Sequence, residues 1–407
     1  MKVVVVGAQW GDEGKGKIVD YLAEEAQLVV RFSGGANAGH TVVHQGNTYK
    51  LHLIPSGIVY SDKKVILGSG MVIDPEALFK ELETLEKQGI TWEGRTFISD
   101  RAHLVLPEYK QTDKQMDSTR RNPIGTTGRG IGIAYAQKAN RDGIRVADIN
   151  DDDFMPLLRP SERDFLDPYI ERIRKMSINL AEFMEKTDAG KILYEGAQGV
   201  LLDIDMGTYP FVSSGCSAAA GAALGGSIGP RQIDRILGVF KAYSTRVGNG
   251  PFPTEFTKER DGDLGDIVRE IGHEYGVTTG RPRRCGYLDL VALKYACQTN
   301  SIDSLVLTHP DVYDDFDEIS VCVAYEIDGV ETTAFPSSCR RLERAKPVLR
   351  KFKGWREKIS DAKSYEDLPE KTREYISFIE DFVKTEVGII SVGPDRNQTF
   401  IRTRIWD

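Results

Sequence analysis

The chain is predicted to be an α/β protein, with a mainly parallel central sheet, flanking helices and smaller excursions, organised as a single domain over 1–407. Three observations carry this prediction. Short apolar, β-branched runs recur, and each breaks into a glycine-rich loop, as at Met1–Val6, Leu28–Phe32 and Ile192–Tyr194. Stretches with helical spacing separate them, the alternation that builds βαβ units and parallel sheets. The loops mix glycine with acids, hydroxyls and basic side chains, which suits the strand C-terminal ends where such sheets bind ligands.

The first unit is Met1–Val6, then the turn Gly7–Lys17, then Ile18–Ala23 with helical spacing. Strand, glycine turn and helix together aim backbone N–H groups and a helix N-terminus at a phosphate. Gly11–Lys17 has the spacing G-x-x-x-x-G-K, so the fold is expected to be P-loop-NTPase-like. Ile18 stands where that loop needs a metal-binding Ser or Thr, and Asp12 lies inside the turn instead. Leu28–Phe32 is the second strand and runs into Ser33–Thr41, while Thr41–His44 and Thr48–Leu53 pair as a hairpin through Gln45-Gly46-Asn47.

Val65–Leu67, Thr96–Ser99 and His103–Leu106 read as strands. Asp74 caps a helix with Pro75 in its first turn, running to about Gln88. Pro107–Arg121 reads as a polar helix, followed by the loop Gly125–Gly132 and a helix ending near Arg141 and Arg145. Ser161–Thr187 is the longest helical stretch, and Ser213–Gly229 is rich in small residues that pack tightly or face a ligand. Ile236–Ser244, Leu305–Thr308 and Ile389–Val392 are strands, with a helix from Pro369 to about Glu386. No internal repeat or low-complexity linker interrupts this layout.

A net charge of −8 argues against a nucleic-acid-coating protein, so an anionic ligand has to be met by a local positive cluster. The five cysteines form no C-x-x-C pair, which fits reduced thiols in the cytoplasm and neither a disulfide frame nor a zinc site. No segment has the length and apolarity of a signal peptide or membrane span.

Several residues stand out chemically. A capping role is the ordinary reading of an acid such as Asp12, but a turn this rich in glycine points to a base or a magnesium ligand. Lys15 and Lys17 supply point charges for phosphates. His40 follows Gly39 in a loop and not on an apolar face, placing an imidazole where it can donate to a phosphate oxygen; His44, His52, His103 and His273 are assigned structural roles. Arg281, Arg283 and Arg284 beside Thr278 and Thr279 form the strongest local positive cluster. Asp311 at a strand end suits the donors of guanine, though an acid at a turn is more often a cap.

The stretches Gln9–Lys17, Gly34–Thr41, Ile124–Gly132, Glu195–Gly199, Lys241–Gly248, Thr278–Arg281 and Val392–Arg396 closely resemble the adenylosuccinate synthetase family, in the family's order along the whole chain. The resemblance implies a magnesium-dependent ligase of purine (AMP) biosynthesis that converts IMP, L-aspartate and GTP to adenylosuccinate, GDP and phosphate. It implies Asp12 as the base that takes the N1 proton and His40 as the acid, with Lys15 and Gln198 also catalytic. Magnesium would lie between Asp12 and the carbonyl of Gly39. IMP would be held by Asp12, Glu13, Gly14, Lys15, Asn37, Ala38, Gly39, His40, Thr127, Gln198, Ser213 and Arg281, with Arg141 reaching the IMP of a neighbouring subunit in a homodimer. Aspartate would meet Val277, Thr278, Thr279, Gly280, Arg281, Pro282 and Arg283. GTP would meet Gly11, Asp12, Glu13, Gly14, Lys15, Gly16, Lys17, Gly39, His40, Thr41 and Arg283 through its phosphates, and His309, Pro310, Asp311, Ser391, Val392, Gly393 and Pro394 around its base.

The chain departs from the family pattern at three places: Ser213 for Thr, Pro282 for Arg, and His309-Pro310-Asp311 for Lys-x-Asp. The last bears on purine selectivity. Two rivals are a phage-type relative that joins aspartate to a guanylate with an adenine nucleotide, and a nucleotide-binding paralogue without activity. The first is expected to replace Asp12 and the second to lose Asp12 or His40, and this chain keeps both. A GTPase switch needs a hydroxyl after Lys17 and an Asn/Thr-Lys-x-Asp motif, and neither is present.

Overall fold

Val3, Val4, Val5 and Val6 are all fully buried. Lys2–Gly7 is therefore a central strand covered on both faces, as an unbroken apolar run demands. The structure, a computed structural model, describes residues 1–44, 46–276 and 280–406. These form two compact units, one of Met1–Val5, Gly16–Gln198 and Ser213–Asp234, the other of Val6–Lys15, Gly199–Val212 and Arg235–Asp407.

In the first unit the strands run in the spatial order Lys2–Gly7, Ile192–Gly199, Leu28–Gly34, Lys64–Ile73, Thr96–Ser99 and Ser177–Ile178. Leu28–Gly34 is parallel to both neighbours, with Val29 opposite Leu193 and Val65. Parallel pairing brings the loops after Gly34 and around Gln198 to one edge of the sheet. Pro75–Lys87 forms as expected, with the Asp74 carboxylate accepting from the Ala77 N–H at 3.4 Å. The small-residue stretch is used for close packing. A Cβ at Gly225, in the helix Ala220–Gly225, would lie 2.0 Å from the Phe32 carbonyl oxygen. The hairpin pairs His40–His44 with Asn47–Leu51; its Gln45 is outside the described residues.

In the second unit, Ser304–Thr308 lies between Arg235–Lys241 and Val387–Ser391, all parallel, and Thr399–Ile401 closes the edge in the antiparallel sense. Thr308 is in register with both Lys241 and Ser391. A separate sheet pairs Glu318–Ile327 with Lys346–Lys353 and Val330–Thr332.

Several elements differ from the sequence reading, which also left out the helices Leu264–Ile271 and Leu290–Asn300 and the strand Glu318–Ile327. Ser161–Thr187 is not one helix but three, Pro160–Leu166, Ile170–Met176 and Leu180–Lys186, with the edge strand Ser177–Ile178 between the last two. Pro168 has no N–H to continue the ladder, so the first helix stops although Asp167 is still helical, and Asn179 caps a new helix by accepting from the Glu182 N–H. Ile236–Ser244 ends as a strand at Lys241, and the chain restarts as Ser244–Arg246 against Arg284–Gly286. Lys346–Lys353 is a strand whose irregularly placed lysines and arginine, with Pro347 among them, hide its pattern. No helix among the described residues is long and apolar enough to cross a membrane, and no disulfide joins the cysteines.

His103 is buried and marks a pH limit. It is 4 % exposed, and burial first, then the charges of Lys138 and Arg145, pull its pKa down to about 4 against a partial opposing effect from Arg101. The unfolded chain binds a proton here from about pH 6.5, so it takes up more protons than the folded chain as pH falls through that window. Stability should drop by up to about 3 kcal/mol between pH 6.5 and 4. A His103→Gln variant should lose correspondingly less over the same range. Urea-unfolding free energies at several pH values check this, and parallel curves for the two proteins would contradict it.

Candidate active site

The turn between Lys2–Gly7 and the helix Lys15–Ala23 bends because Gly11, Asp12 and Gly14 all take left-handed backbone angles, φ 87°, 59° and 86°. For Asp12 this is a conformation that only a short polar side chain adopts readily. The bend gives two neighbouring acids opposite fates. Glu13 is fully buried. Its Oε1 accepts the N–H groups of Gln9 and Gly11, at 3.1 and 2.8 Å, and its Oε2 accepts from the Lys15 ammonium at 2.6 Å. Gly7 is required by this arrangement, since a Cβ there would stand 2.2 Å from the Glu13 carboxylate. Asp12 instead leaves its side chain 38 % exposed and pairs with Arg283 Nε at 2.9 Å.

Arg283 continues the chain of charge, donating to Glu274 Oε2 at 2.8 Å. Glu274 Oε1 takes the Lys241 ammonium and the Tyr243 hydroxyl. Burial raises the Glu274 pKa, but Lys241, Tyr243 and His309 outweigh it and hold the group down at about 2. Arg283 is likewise kept charged, burial being outweighed by Asp12 and Glu274. The basic loop therefore divides: Arg283 faces Asp12, Arg284 turns to Glu255 and the carbonyl of Gly250, and Arg281 and Pro282 are exposed. Gly280, with φ 64°, is open on its Cβ side. Val277, Thr278 and Thr279 lie outside the described residues.

The same unit ties the turn to the nucleotide-base candidates. Thr308 Oγ1 donates to the Glu13 carbonyl at 2.7 Å, and a Cβ at Gly14 would sit 3.6 Å from the Thr308 methyl. Thr308 leads straight into His309, Pro310 and Asp311. Its register partner Ser391 leads into Val392, Gly393 and Pro394. Both groups thus leave adjacent strand ends.

In the first unit, His40 Nδ1 lies 2.6 Å from Glu195 Oε1, and Gly16 backs the ring: a Cβ there would be 3.3 Å from the His40 Cβ. Asn37 has a buried Oδ1 with no partner among the described residues. Ala38 gives its carbonyl to His52 Nδ1 at 2.8 Å. Gly39 and Thr41 are exposed, with nothing within 4 Å of a Cβ at Gly39. Gln198 takes φ 65° at a strand end, Ser213 and Lys17 are half-buried, Thr127 is exposed, and Arg141 is an exposed left-handed C-cap at φ 66°.

Sequence reasoning did not single out Glu195, Glu274 or the inward role of Glu13. An acid in the apolar run Ile192–Tyr194 just before a glycine is a usable signal for Glu195. Glu274 has none, because Lys241 and Tyr243 lie more than thirty residues before it and no spacing rule links it to Arg283, nine residues on. Glu13→Ala would strand a buried ammonium and two N–H groups, and should lower stability by about 3–5 kcal/mol. Glu13→Gln, which keeps an acceptor, should cost less. Chemical denaturation checks both, and a loss below about 1 kcal/mol for the alanine variant would contradict the arrangement.

The chain matches the family model described as adenylosuccinate synthetase over residues 4–160 and 158–400. It is 48% identical over 425 residues to the adenylosuccinate synthetase of Clostridium novyi (strain NT), covering 98% of each chain. The fully ligated adenylosuccinate synthetase of Plasmodium falciparum superposes with a TM-score of 0.89 at 37% identity, covering 98% of this chain and 99% of that one. Cyanophage S-2L succinoaminodeoxyadenylate synthetase, bound to dGMP and dATP as an energy donor, gives a TM-score of 0.64 at 20% identity over 99% and 95% of the two chains, a likeness of fold alone. With its parallel strands, flanking helices and glycine turns in place, the chain belongs to the adenylosuccinate synthetase family, a family of ligases.

Proposed function

We propose that the chain joins L-aspartate to IMP in a GTP-driven reaction that yields adenylosuccinate, GDP and phosphate. The observation that carries this reading is the split between Asp12 and Glu13, which leaves one carboxylate outward and paired to a cation while its neighbour is locked into the turn. Asp12 takes the proton from N1 of the purine, and the electron pair released onto O6 attacks the γ-phosphorus of GTP. The bond from phosphorus to the β-bridging oxygen breaks, and His40 gives that departing oxygen a proton. The aspartate amine then adds at C6, loses a proton, and the 6-phosphate leaves. Positioning and charge neutralisation supply most of the acceleration in such transfers.

The binding roles are proposals of the same reading. Glu13, Gly14, Lys15, Asn37, Ala38, Thr127, Gln198, Ser213 and Arg281 hold IMP, and Arg141 serves the IMP of a second copy in a homodimer. The segment Val277–Arg283 holds aspartate. Gly11–Lys17, Gly39–Thr41 and Arg283 meet the triphosphate, while His309–Asp311 and Ser391–Pro394 enclose the guanine. The organisation as one working domain in the cytoplasm belongs to the proposal as well. Among the described residues no cluster of three or more His, Cys, Asp or Glu could hold a metal by itself. That fits magnesium, which takes one or two carboxylates together with substrate phosphates and water. Asp12 and the carbonyl of Gly39, both exposed, are the residues to hold it. When bound, magnesium neutralises phosphate charge.

The rival substrate pair, a guanylate with an adenine nucleotide, is separated by supplying magnesium and aspartate with IMP or dGMP crossed with GTP or ATP. Product should form with IMP and GTP. Asp12→Ala should lower turnover by at least about 10²-fold. The same change should cost about 1–2 kcal/mol of stability, since alanine resists the φ of 59° that aspartate tolerates, and should leave the chain folded. Near-normal turnover in that variant would remove the base assignment. His309→Lys should raise the preference for GTP over ATP, and an unchanged ratio would detach His309 from base selection.

A further inference from the structure

Glu195 is 0 % exposed and lies in the strand Ile192–Gly199, 155 positions along the chain from its partner His40. Around its carboxylate stand His40 Nδ1 at 2.6 Å, the Ser56 N–H at 2.8 Å and the Ser56 hydroxyl at 3.0 Å. The buried Arg31 guanidinium donates to the carbonyls of His52 and Gly35, so it contributes to Glu195 as charge and not as a donor. Burial alone pushes the Glu195 pKa up, but the His40 contact, the Ser56 N–H and the Arg31 charge outweigh it, and the group sits below the ordinary carboxylate range.

An ionised carboxylate carries no hydrogen to give, so the hydrogen in the 2.6 Å contact belongs to His40 Nδ1. The ring lies beside the start of the helix Lys15–Ala23. Gly16 stands against it on the backbone side, with a Cβ there only 3.3 and 3.5 Å from His40 Cβ and Cγ. The side chain is still 12 % exposed. A ring held by one nitrogen and reachable from outside has its other nitrogen left for exchange.

We infer that Glu195 is a positioning residue for the reaction: it fixes the hydrogen on His40 Nδ1 and so makes Nε2 the atom that accepts and delivers the transferred proton. This rests on the reading of His40 as the acid. In the step itself, His40 meets the leaving oxygen with a hydrogen on each ring nitrogen. The Nε2–H bond then breaks, the proton passes to the oxygen leaving the γ-phosphorus, and the electron pair stays on Nε2. Nδ1 keeps its hydrogen, and Glu195 remains ionised throughout. A carboxylate that orients an imidazole in this way, without itself taking the proton, is the division of labour in Ser-His-Asp sites.

Two measurements test the inference. Nitrogen-15 NMR of the histidine ring in the full-length protein without substrates should show His40 as the Nδ1–H tautomer, and an Nε2–H ring would overturn the proposal whatever the variants do. Glu195→Gln keeps the size of the side chain, but its amide can bond either tautomer. It should populate Nε2–H and lower kcat about 10²-fold, with KM for IMP and GTP changed no more than about twofold. Unchanged kcat, or a loss confined to KM, would overturn the positioning role. His40→Asn is the separate control. If it turns over like the wild type, the reading of His40 as the acid falls, while the ring spectra still decide what Glu195 does to the tautomer.

Discussion

The left-handed backbone at Asp12 is the constraint on which the site depends. With φ at 59°, the chain sends Glu13 inward and Asp12 outward. Turned inward, Glu13 consumes two of the N–H groups that a glycine turn offers to a phosphate, and it also neutralises Lys15. These groups are thereby engaged within the protein before any ligand arrives. A buried carboxylate is stable only because every partner is supplied locally, and removal of one partner is far more disruptive than the pair itself is stabilising. Asp12 is spared from that structural work and stays available.

From Asp12 the charges run on in alternation through Arg283, Glu274 and Lys241. Each member is held by the next, and the inner members are buried, where such contacts are strong and unpaired groups costly. Gln9 anchors the start of the turn to the same strand end, its side-chain amide donating to the Tyr243 carbonyl at 2.9 Å. Thr308 fixes the Glu13 carbonyl from the neighbouring strand. The acid proposed to activate the purine is therefore mounted on strand ends and not on a mobile tip, which is what positioning to within a fraction of an ångström requires.

Much of this was legible in the sequence because it is local. Short apolar runs located the parallel strands to within a few residues, as Leu28–Phe32 did for Leu28–Gly34 and Leu305–Thr308 for Ser304–Thr308. Asp12 and His40 stood out because each directly follows a glycine in a polar stretch, although His40 proves to open the hairpin strand His40–His44. What was not legible is non-local or masked by charge. Lys346–Lys353 carries Lys346, Arg350, Lys351 and Lys353 in no regular alternation with its apolar residues, and its pairing with Glu318–Ile327 is formed only in three dimensions. The partners of Glu195, and Lys241 and Tyr243 for Glu274, come from distant stretches of chain, and no spacing rule connects them. The break of Ser161–Thr187 was legible in principle, since Pro168 marks it.

The central claim is that Asp12 activates the purine oxygen for attack on phosphorus before aspartate takes part. Positional isotope exchange isolates that step. GTP carrying oxygen-18 in its β–γ bridge is incubated with the protein, magnesium and IMP, with aspartate omitted. The account predicts that the label scrambles into the β-nonbridging positions with the wild-type protein and stays in the bridge with Asp12→Asn. Scrambling that persists in the variant, or that never occurs in the wild type, would contradict it.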